Sequence, residues 1–399
     1  MAVPTGGGKT LSALAFALAH AARYGLRRVI YVAPYLSILE QNAREIRRAL
    51  EVSTDSELVF EHHSLADPLD KPEENQAEAS DAAQRAETWN APVVITTNVQ
   101  FFESLFANQP GRCRKLHNIA RSVVVLDECQ TLPPGLVRPT CSMLGEFAQR
   151  AGSSLVLCTA TQPAWNRRSS FAEGLADVRD IVTEEMRLFE KLLRVTIEWP
   201  RAGEGLEWSD VAARMLEQPA VLCIVNTKGA ARAIHAELRQ RGGEDALHLS
   251  TNMCPRHRLE TIDEVRRRLR EAEPCRLVST QLIEAGVDVD FPVVMREMAP
   301  LEAIIQAAGR ANREGLLNAS DGSPGGRVVV FRSVKPVKLD RWYQAGIGIV
   351  EDNFLRDGRE PDVAQPDHIG EYFRRLYASG DIDARNIQVL REAQSFAEV

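Results

Sequence analysis

A chain of 399 residues, 44% hydrophobic and 26% charged, carries enough apolar side chains for two or three packed domains. Its net charge of -7 argues against a surface that coats nucleic acid indiscriminately. No apolar run reaches the roughly 18 residues that would span a membrane. The seven cysteines are scattered without a C-x-x-C pair, so neither a zinc site nor a disulfide framework is indicated, and a reducing, cytoplasmic setting fits.

The chain opens MAVPTGGGKTLSALAFALAHAARYG. An apolar run after one basic residue satisfies a secretory leader loosely, but a leader has no use for three glycines, which weaken its helix. A phosphate-binding loop accounts for each residue. Thr5, Gly6, Gly7 and Gly8 let backbone N–H groups curl round a polyphosphate, Lys9 reaches the β/γ-phosphates, and the Thr10 hydroxyl serves Mg²⁺. Val3 stands where the usual pattern has its first Gly.

Downstream, RVIYVAP, PVVITT, SVVVLDE and SSLVLCTAT are β-branched apolar runs, separated by helix-length segments such as SILEQNAREIRRAL. Such alternation predicts a parallel sheet covered on both faces, with functional side chains at the carboxyl ends of its strands. The adjacent histidines at 62–63 would point to opposite sides of a strand and read as a surface or packed pair rather than a metal site. Residues 67–88 read as a polar surface loop leading into a helix. A second series follows: LRVTIEW, AVLCIVNT, DALHLST, CRLVSTQ, PVVMRE and RVVVF. Its strand–turn–helix AVLCIVNTKGAARAIHAEL repeats the pattern of RVIYVAPYLSILEQNAREI, which suits two copies of one α/β fold. The arginine run RRRLR at 266–270 is explained by a solvated helix face. The predicted organisation is a first domain over 1–185, a second over 186–335, and a small helical extension over 336–399.

The chemistry follows the same order. In VVVLDECQ, Asp127 is placed to hold Mg²⁺ and Glu128 to polarise an attacking water. An acidic pair after a strand is commonly just a strand end; a phosphate loop upstream and TAT at 159–161 downstream strengthen the catalytic reading. In LEAIIQAAGRANREG, Gln306, Arg310 and Arg313 share one side of a helix or its end, suited to stabilising negative charge on a transferring phosphoryl group.

PTGGGKT, YVAPYLSILEQ, TTNVQFFESLF, LDECQ, CTATQP, IVNT, STQLIEAGVDVD and QAAGRANR resemble, in order, the motifs of superfamily 2 helicases. TTNVQFFESLF, LDECQTLPPG and CTATQP resemble more narrowly the CRISPR-associated helicase-nuclease of type I interference. The resemblance covers roughly residues 3 to 335. It implies two tandem RecA-like domains, ATP and Mg²⁺ as cofactors, and 3′→5′ movement on single-stranded DNA after a guide-RNA surveillance complex has opened its target. It assigns Gly286 and Asp288 to the nucleotide side, Gln306, Arg310 and Arg313 to the γ-phosphate, and Thr159 and Thr161 to coupling. Pro34, Thr96, Thr97, Asn226, Thr227, Ser250 and Thr280 would line the strand track.

The resemblance also sets expectations where the sequence departs from it. The family carries a glutamine motif and a strand upstream of the loop, so the chain reads as truncated or mis-started. Poor discrimination of ATP from GTP, or a binding fragment without hydrolysis, would follow from that. No His is followed by Asp, so DNA cutting is expected not from these residues but from an HD nuclease domain lost from the front of the chain or supplied as a separate polypeptide. The motifs fix the motor better than its substrate, and a helicase for RNA or for another DNA-repair pathway is the alternative reading. Asn312 replaces a common Gly.

Overall fold

The β-branched runs become buried parallel strands. In a computed structural model, the described residues are 1–4, 6–54, 56–63, 86–183, 186–201, 203–284, 286–335 and 337–395. The polar segment at 67–88 falls, apart from its last three residues, outside them. Two compact units result, one within Met1–Val3, Gly8–Thr183 and Gly380–Val399, the other within Pro4–Gly7 and Glu184–Ser379.

In the first unit, β1 (Arg28–Ala33), β2 (Val59–His62), β3 (Val93–Thr97), β4 (Ser122–Asp127) and β5 (Ser154–Cys158) form a sheet of order β2-β3-β1-β4-β5, every neighbouring pair parallel. All six residues of β1 and of β4 are buried, as strands covered on both faces require. The edge strand β2 escaped the sequence reading because its four residues are only half apolar and two of them are half-buried. Beyond β5, Val3 N–H donates to Thr159 O and Thr159 N–H to Met1 O, so residues 1–3 run alongside the end of β5.

Helix α1 (Lys9–Tyr24) is the apolar run that a secretory leader would have claimed. It buries Ala13, Leu14, Ala17 and Ala21, packs on β1, β4 and β5, and stops at Gly25 in the left-handed region. Small residues allow this close seat on the sheet. Helix α2 (Leu36–Ala49) follows β1, α3 (Asn98–Leu105) follows β3, and α4 (Val137–Ala151) precedes β5.

In the second unit, β6 (Val195–Glu198), β7 (Ala220–Ile224), β8 (Leu247–Leu249), β9 (Cys275–Ser279), β10 (Val293–Glu297) and β11 (Gly326–Phe331) form a six-stranded parallel sheet of order β6-β11-β10-β7-β9-β8. Its helices are α5 (Trp208–Leu216), α6 (Lys228–Gln240), α7 (Pro255–Arg270) and α8 (Leu301–Ala308). Val211, Met215, Val221, Cys223, Ile234, Val278 and Phe331 belong to one core under α5 and α6. Both units are therefore RecA-like α/β sheets. After β11 the chain is helical: α9 (Arg341–Asn353) and α10 (Pro366–Ala378) pack within the second unit, and α11 (Ile387–Glu392) packs on α4 in the first. Among the described residues no helix is long and apolar enough to cross a membrane.

Candidate active site

The loop before α1 has the backbone its glycines permit. Gly6 and Gly8 lie at φ +77° and +74°, where a side chain would be strained. Gly7 N–H donates to Pro4 O, and Thr5 lies outside the described residues. Gly8 ends the loop as the N-cap of α1, which sets Lys9 and Thr10 in its first turn.

At the carboxyl end of β4, Asp127 is buried among Tyr31, whose hydroxyl donates to Oδ2 (3.0 Å), and Asn42, whose amide donates to the same oxygen (3.2 Å). Asn42 Oδ1 accepts in turn from the Thr10 hydroxyl at 3.2 Å. One amide on α2 therefore holds together the two groups expected to serve Mg²⁺. A hydroxyl and a carboxylate are hard oxygen donors of the kind that ion takes when phosphates and water complete its shell, so the residues fit it. Burial, then the Glu128 carboxylate, pushes the Asp127 carboxyl up to about 6, against the lowering pull of Lys9, Tyr31 and Asn42.

Glu128 itself sits at φ +47°, a left-handed conformation uncommon for a residue with a side chain. Its carboxylate pairs with the Lys9 ammonium through one oxygen and accepts from the Gln130 amide through the other. Burial pulls the Lys9 pKa down, but Glu128 and Asp127 outweigh it and the ammonium is held above its ordinary range. The Gln130 carbonyl accepts from the Thr159 hydroxyl, which also accepts from Thr161 N–H at 2.9 Å. A continuous relay thus runs Lys9–Glu128–Gln130–Thr159–Thr161, with the Thr161 hydroxyl buried beside it. Tyr31, Asn42 and Gln130 were missed as site residues. Gln130 stands inside LDECQ, and the hint was a buried amide beside two carboxylates. The thiols of Cys129 and Cys158 are buried, and burial pushes Cys158 up to about 12, so both stay protonated.

The residues expected on a strand track divide. Thr97 and Thr227 are helix N-caps in equivalent places, accepting from Gln100 N–H (3.3 Å) and Ala230 N–H (3.1 Å) at the starts of α3 and α6. Pro34 is half-buried after β1. Thr96 is fully buried and its hydroxyl donates to His62 O (2.9 Å); Ser250 and Thr280 are buried too. The Asn226 amide is taken up by its own unit, donating to Met298 O at 2.8 Å. His62, packed edge-on to Trp89, is held neutral: burial, then Lys115 and His63, lowers it to about 4.

In the second unit, α8 carries Gln306 and ends at Ala308, so Arg310 and Arg313 lie in the turn beyond. Arg310 is buried, with Nε donating to Ile283 O (3.0 Å) and Nη2 to Glu284 O. Arg313 is half-exposed; its Nε meets Asp288 Oδ1 at 2.8 Å, and its N–H donates to Asp290 (2.7 Å). Gly286 turns the intervening segment at φ +73°. Asn312 sits at φ +44° with its amide bonded to Arg194 O (3.0 Å), which explains why Asn stands where Gly is common. Three of the four arginines in the run on α7 are paired: Arg267 with Glu264, Glu271 and Glu273, Arg268 with Glu264, and Arg266 with Asp263, while the exposed Arg270 donates to Arg266 O (3.3 Å).

A parallel-sheet pair with a phosphate loop, an Asp-Glu strand end and a Thr-Ala-Thr turn defines a superfamily 2 helicase core. In agreement, residues 1–169 match the DEAD/DEAH box helicase family and residues 217–316 match the C-terminal part of the CRISPR-associated nuclease/helicase Cas3 family. The chain is 27% identical to the CRISPR-associated nuclease/helicase Cas3 of Haloferax volcanii, over 84% of this chain and 46% of that relative. Its fold is similar to that of T. fusca Cas3 solved with AMPPNP, with TM-score 0.71, 18% identity, all of this chain and 52% of the other covered. It is likewise similar to a chain of a CRISPR RNA-guided surveillance complex in a pre-nicking state, with TM-score 0.62, 18% identity, and all of this chain and 50% of that one covered. The chain is thus similar to the helicase portion of the Cas3 family, and it spans less than half the length of the curated relative it matches.

Proposed function

We propose that the chain is an ATP-driven motor that moves 3′→5′ along single-stranded DNA in CRISPR defence, working with a guide-RNA surveillance complex. The observation that carries this reading is the relay Lys9–Glu128–Gln130–Thr159 beside Asp127. Lys9 supplies charge to the β/γ-phosphates, and the loop N–H groups at the start of α1 add theirs. Thr10 and Asp127 would hold Mg²⁺, which would supply positive charge beside the triphosphate. Glu128 orients the attacking water and accepts its proton. Gln130 reports the state of Glu128 to Thr159 and Thr161, which gives hydrolysis a path to the rest of the unit. Gln306, Arg310 and Arg313 act on the negative charge that develops on the γ-phosphoryl group, with Gly286 and Asp288 shaping the turn that supports them.

For the strand, the capped starts of α3 and α6 at Thr97 and Thr227 offer N–H groups and dipole to phosphates. Pro34, half-buried after β1, adds to the strand side of the first unit, whereas Thr96, Asn226, Ser250 and Thr280 contribute through backbone and framework. Seven cysteines without a disulfide suit cytoplasmic work. We assign cutting to an HD nuclease rather than to these residues. The test is ATP hydrolysis by the purified chain with single-stranded DNA, single-stranded RNA or neither. Stimulation by DNA well above RNA is expected; equal or greater stimulation by RNA would overturn the substrate assignment.

A further inference from the structure

A fully buried arginine in the second unit belongs to none of the motifs. Arg296 lies on β10 with no exposed side-chain surface. Its guanidinium meets four segments of chain. Nε lies 2.9 Å from Glu284 Oε1 as an ion pair without hydrogen-bond alignment, while Nη1 donates to Asn226 Oδ1 (2.8 Å) and Glu297 O (2.9 Å). Nη2 donates to the Tyr343 hydroxyl (2.7 Å), which donates onward to Asn226 Oδ1 (2.8 Å). Asn226 is fastened further: its N–H donates to Glu297 Oε2 (2.7 Å), and its carbonyl accepts from Gln281 Nε2 (3.2 Å). Glu284, in turn, offers its carbonyl to Arg310.

The cluster therefore joins two corners with different assigned tasks. One is Asn226–Thr227, at the start of α6 on the strand side. The other is Gln281–Glu284, which leads to Gly286 and Asp288 and carries Arg310 on the nucleotide side. The linking hydroxyl comes from α9, outside both sets of motifs. A buried ion pair adds little to stability over well-packed apolar residues of the same size, whereas its directional bonds fix one arrangement of the groups around it. Five donors in a rigid fork suit arginine to that task, and lysine cannot reach all the partners at once.

We propose that Arg296, with Tyr343 as its brace, is a positioning residue that makes the strand-side and nucleotide-side corners of this unit respond as one body. The proposal rests on the function proposed above, in which strand binding speeds ATP hydrolysis. It is tested on the full chain with Arg296→Lys, the milder Tyr343→Phe, and Ile349→Val in α9 as a packing control. Amide hydrogen exchange at Asn226–Lys228 and Gln281–Glu284 should rise at both segments in the first two variants. DNA stimulation of hydrolysis should fall by about fivefold or more in those variants, while unstimulated turnover and nucleotide KM stay within about twofold. Faster exchange at only one segment would overturn the proposal. So would a stimulation ratio that merely tracks the thermal midpoint, as in Ile349→Val. Should the wild-type chain show no response to DNA, the proposed function fails, and the exchange pattern alone then decides whether the two corners are linked.

Discussion

The polar cluster of the first unit and that of the second are both buried at strand ends, yet they are built from different kinds of residue. In the first, Lys9 and Glu128 neutralise each other beside Asp127, and each keeps a part of its side chain exposed, 11% and 20%. In the second, Arg296 is enclosed on every side by its partners, and the conspicuous Arg310 is turned inward onto backbone carbonyls. The first cluster has charge to offer a phosphate; in the second, Arg296 spends its charge on holding loops, and Arg310 holds them as well as serving the phosphate side. The comparison teaches that a motif residue can serve as framework, and that an unmarked residue can organise the motifs around it.

The largest effect expected from this contrast is at the two arginines of the turn after α8. Arg310→Ala and Arg313→Ala should each slow hydrolysis on the order of 10³-fold if both meet developing phosphoryl charge. Only Arg310→Ala should also lower the thermal midpoint, because it leaves the carbonyls of Ile283 and Glu284 unpaired in a buried place. Equal thermal midpoints in a melting experiment would show that Arg310 is not framework.

A smaller effect belongs to the relay. Gln130→Ala removes a hydrogen bond to a charged carboxylate and the link to Thr159, and turnover should fall about tenfold with ATP affinity nearly unchanged. A steady-state split of kcat from KM checks this; a change confined to KM would remove Gln130 from the chemical step.

The smallest is a pH effect in the second unit. Burial pushes the Glu302 carboxyl up to about 7 from its ordinary 4.5, with the Tyr372 hydroxyl opposing and Glu284 adding to the rise. The folded chain therefore keeps a proton that the unfolded chain has lost. Stability must fall as pH rises from about 4.5 to about 7 and level off above, by up to about 3 kcal/mol for this group. Glu302→Gln should cancel that part of the slope. Denaturation of both chains at pH 5 and pH 8 measures it; a constant difference between them would contradict the assignment.

What the sequence made legible follows the same division. PTGGGKT, LDECQ and TAT could be read because phosphate chemistry restricts which residue types stand at a strand end, and the ten strands that were foreseen showed as apolar runs. Asn42, Tyr31 and Tyr343 carried no such mark, since each meets its partner across 32 to 117 residues of chain. Arg296 did leave a trace. A charge within PVVMRE must be paired if the strand is central, but the identity of the partner depends on tertiary structure. The strand-track residues were read by position in their motifs, and burial decides which of them offer side chains.

The most direct test of the account is ATP turnover by Lys9→Ala with and without single-stranded DNA, measured beside DNA affinity. Hydrolysis should be lost under both conditions, because no other residue of the relay brings positive charge to the phosphates, while DNA affinity stays within about threefold of wild type. Turnover near the wild-type rate would contradict it, since Lys9 would then not be the phosphate lysine and the relay to Glu128 would not be the engine.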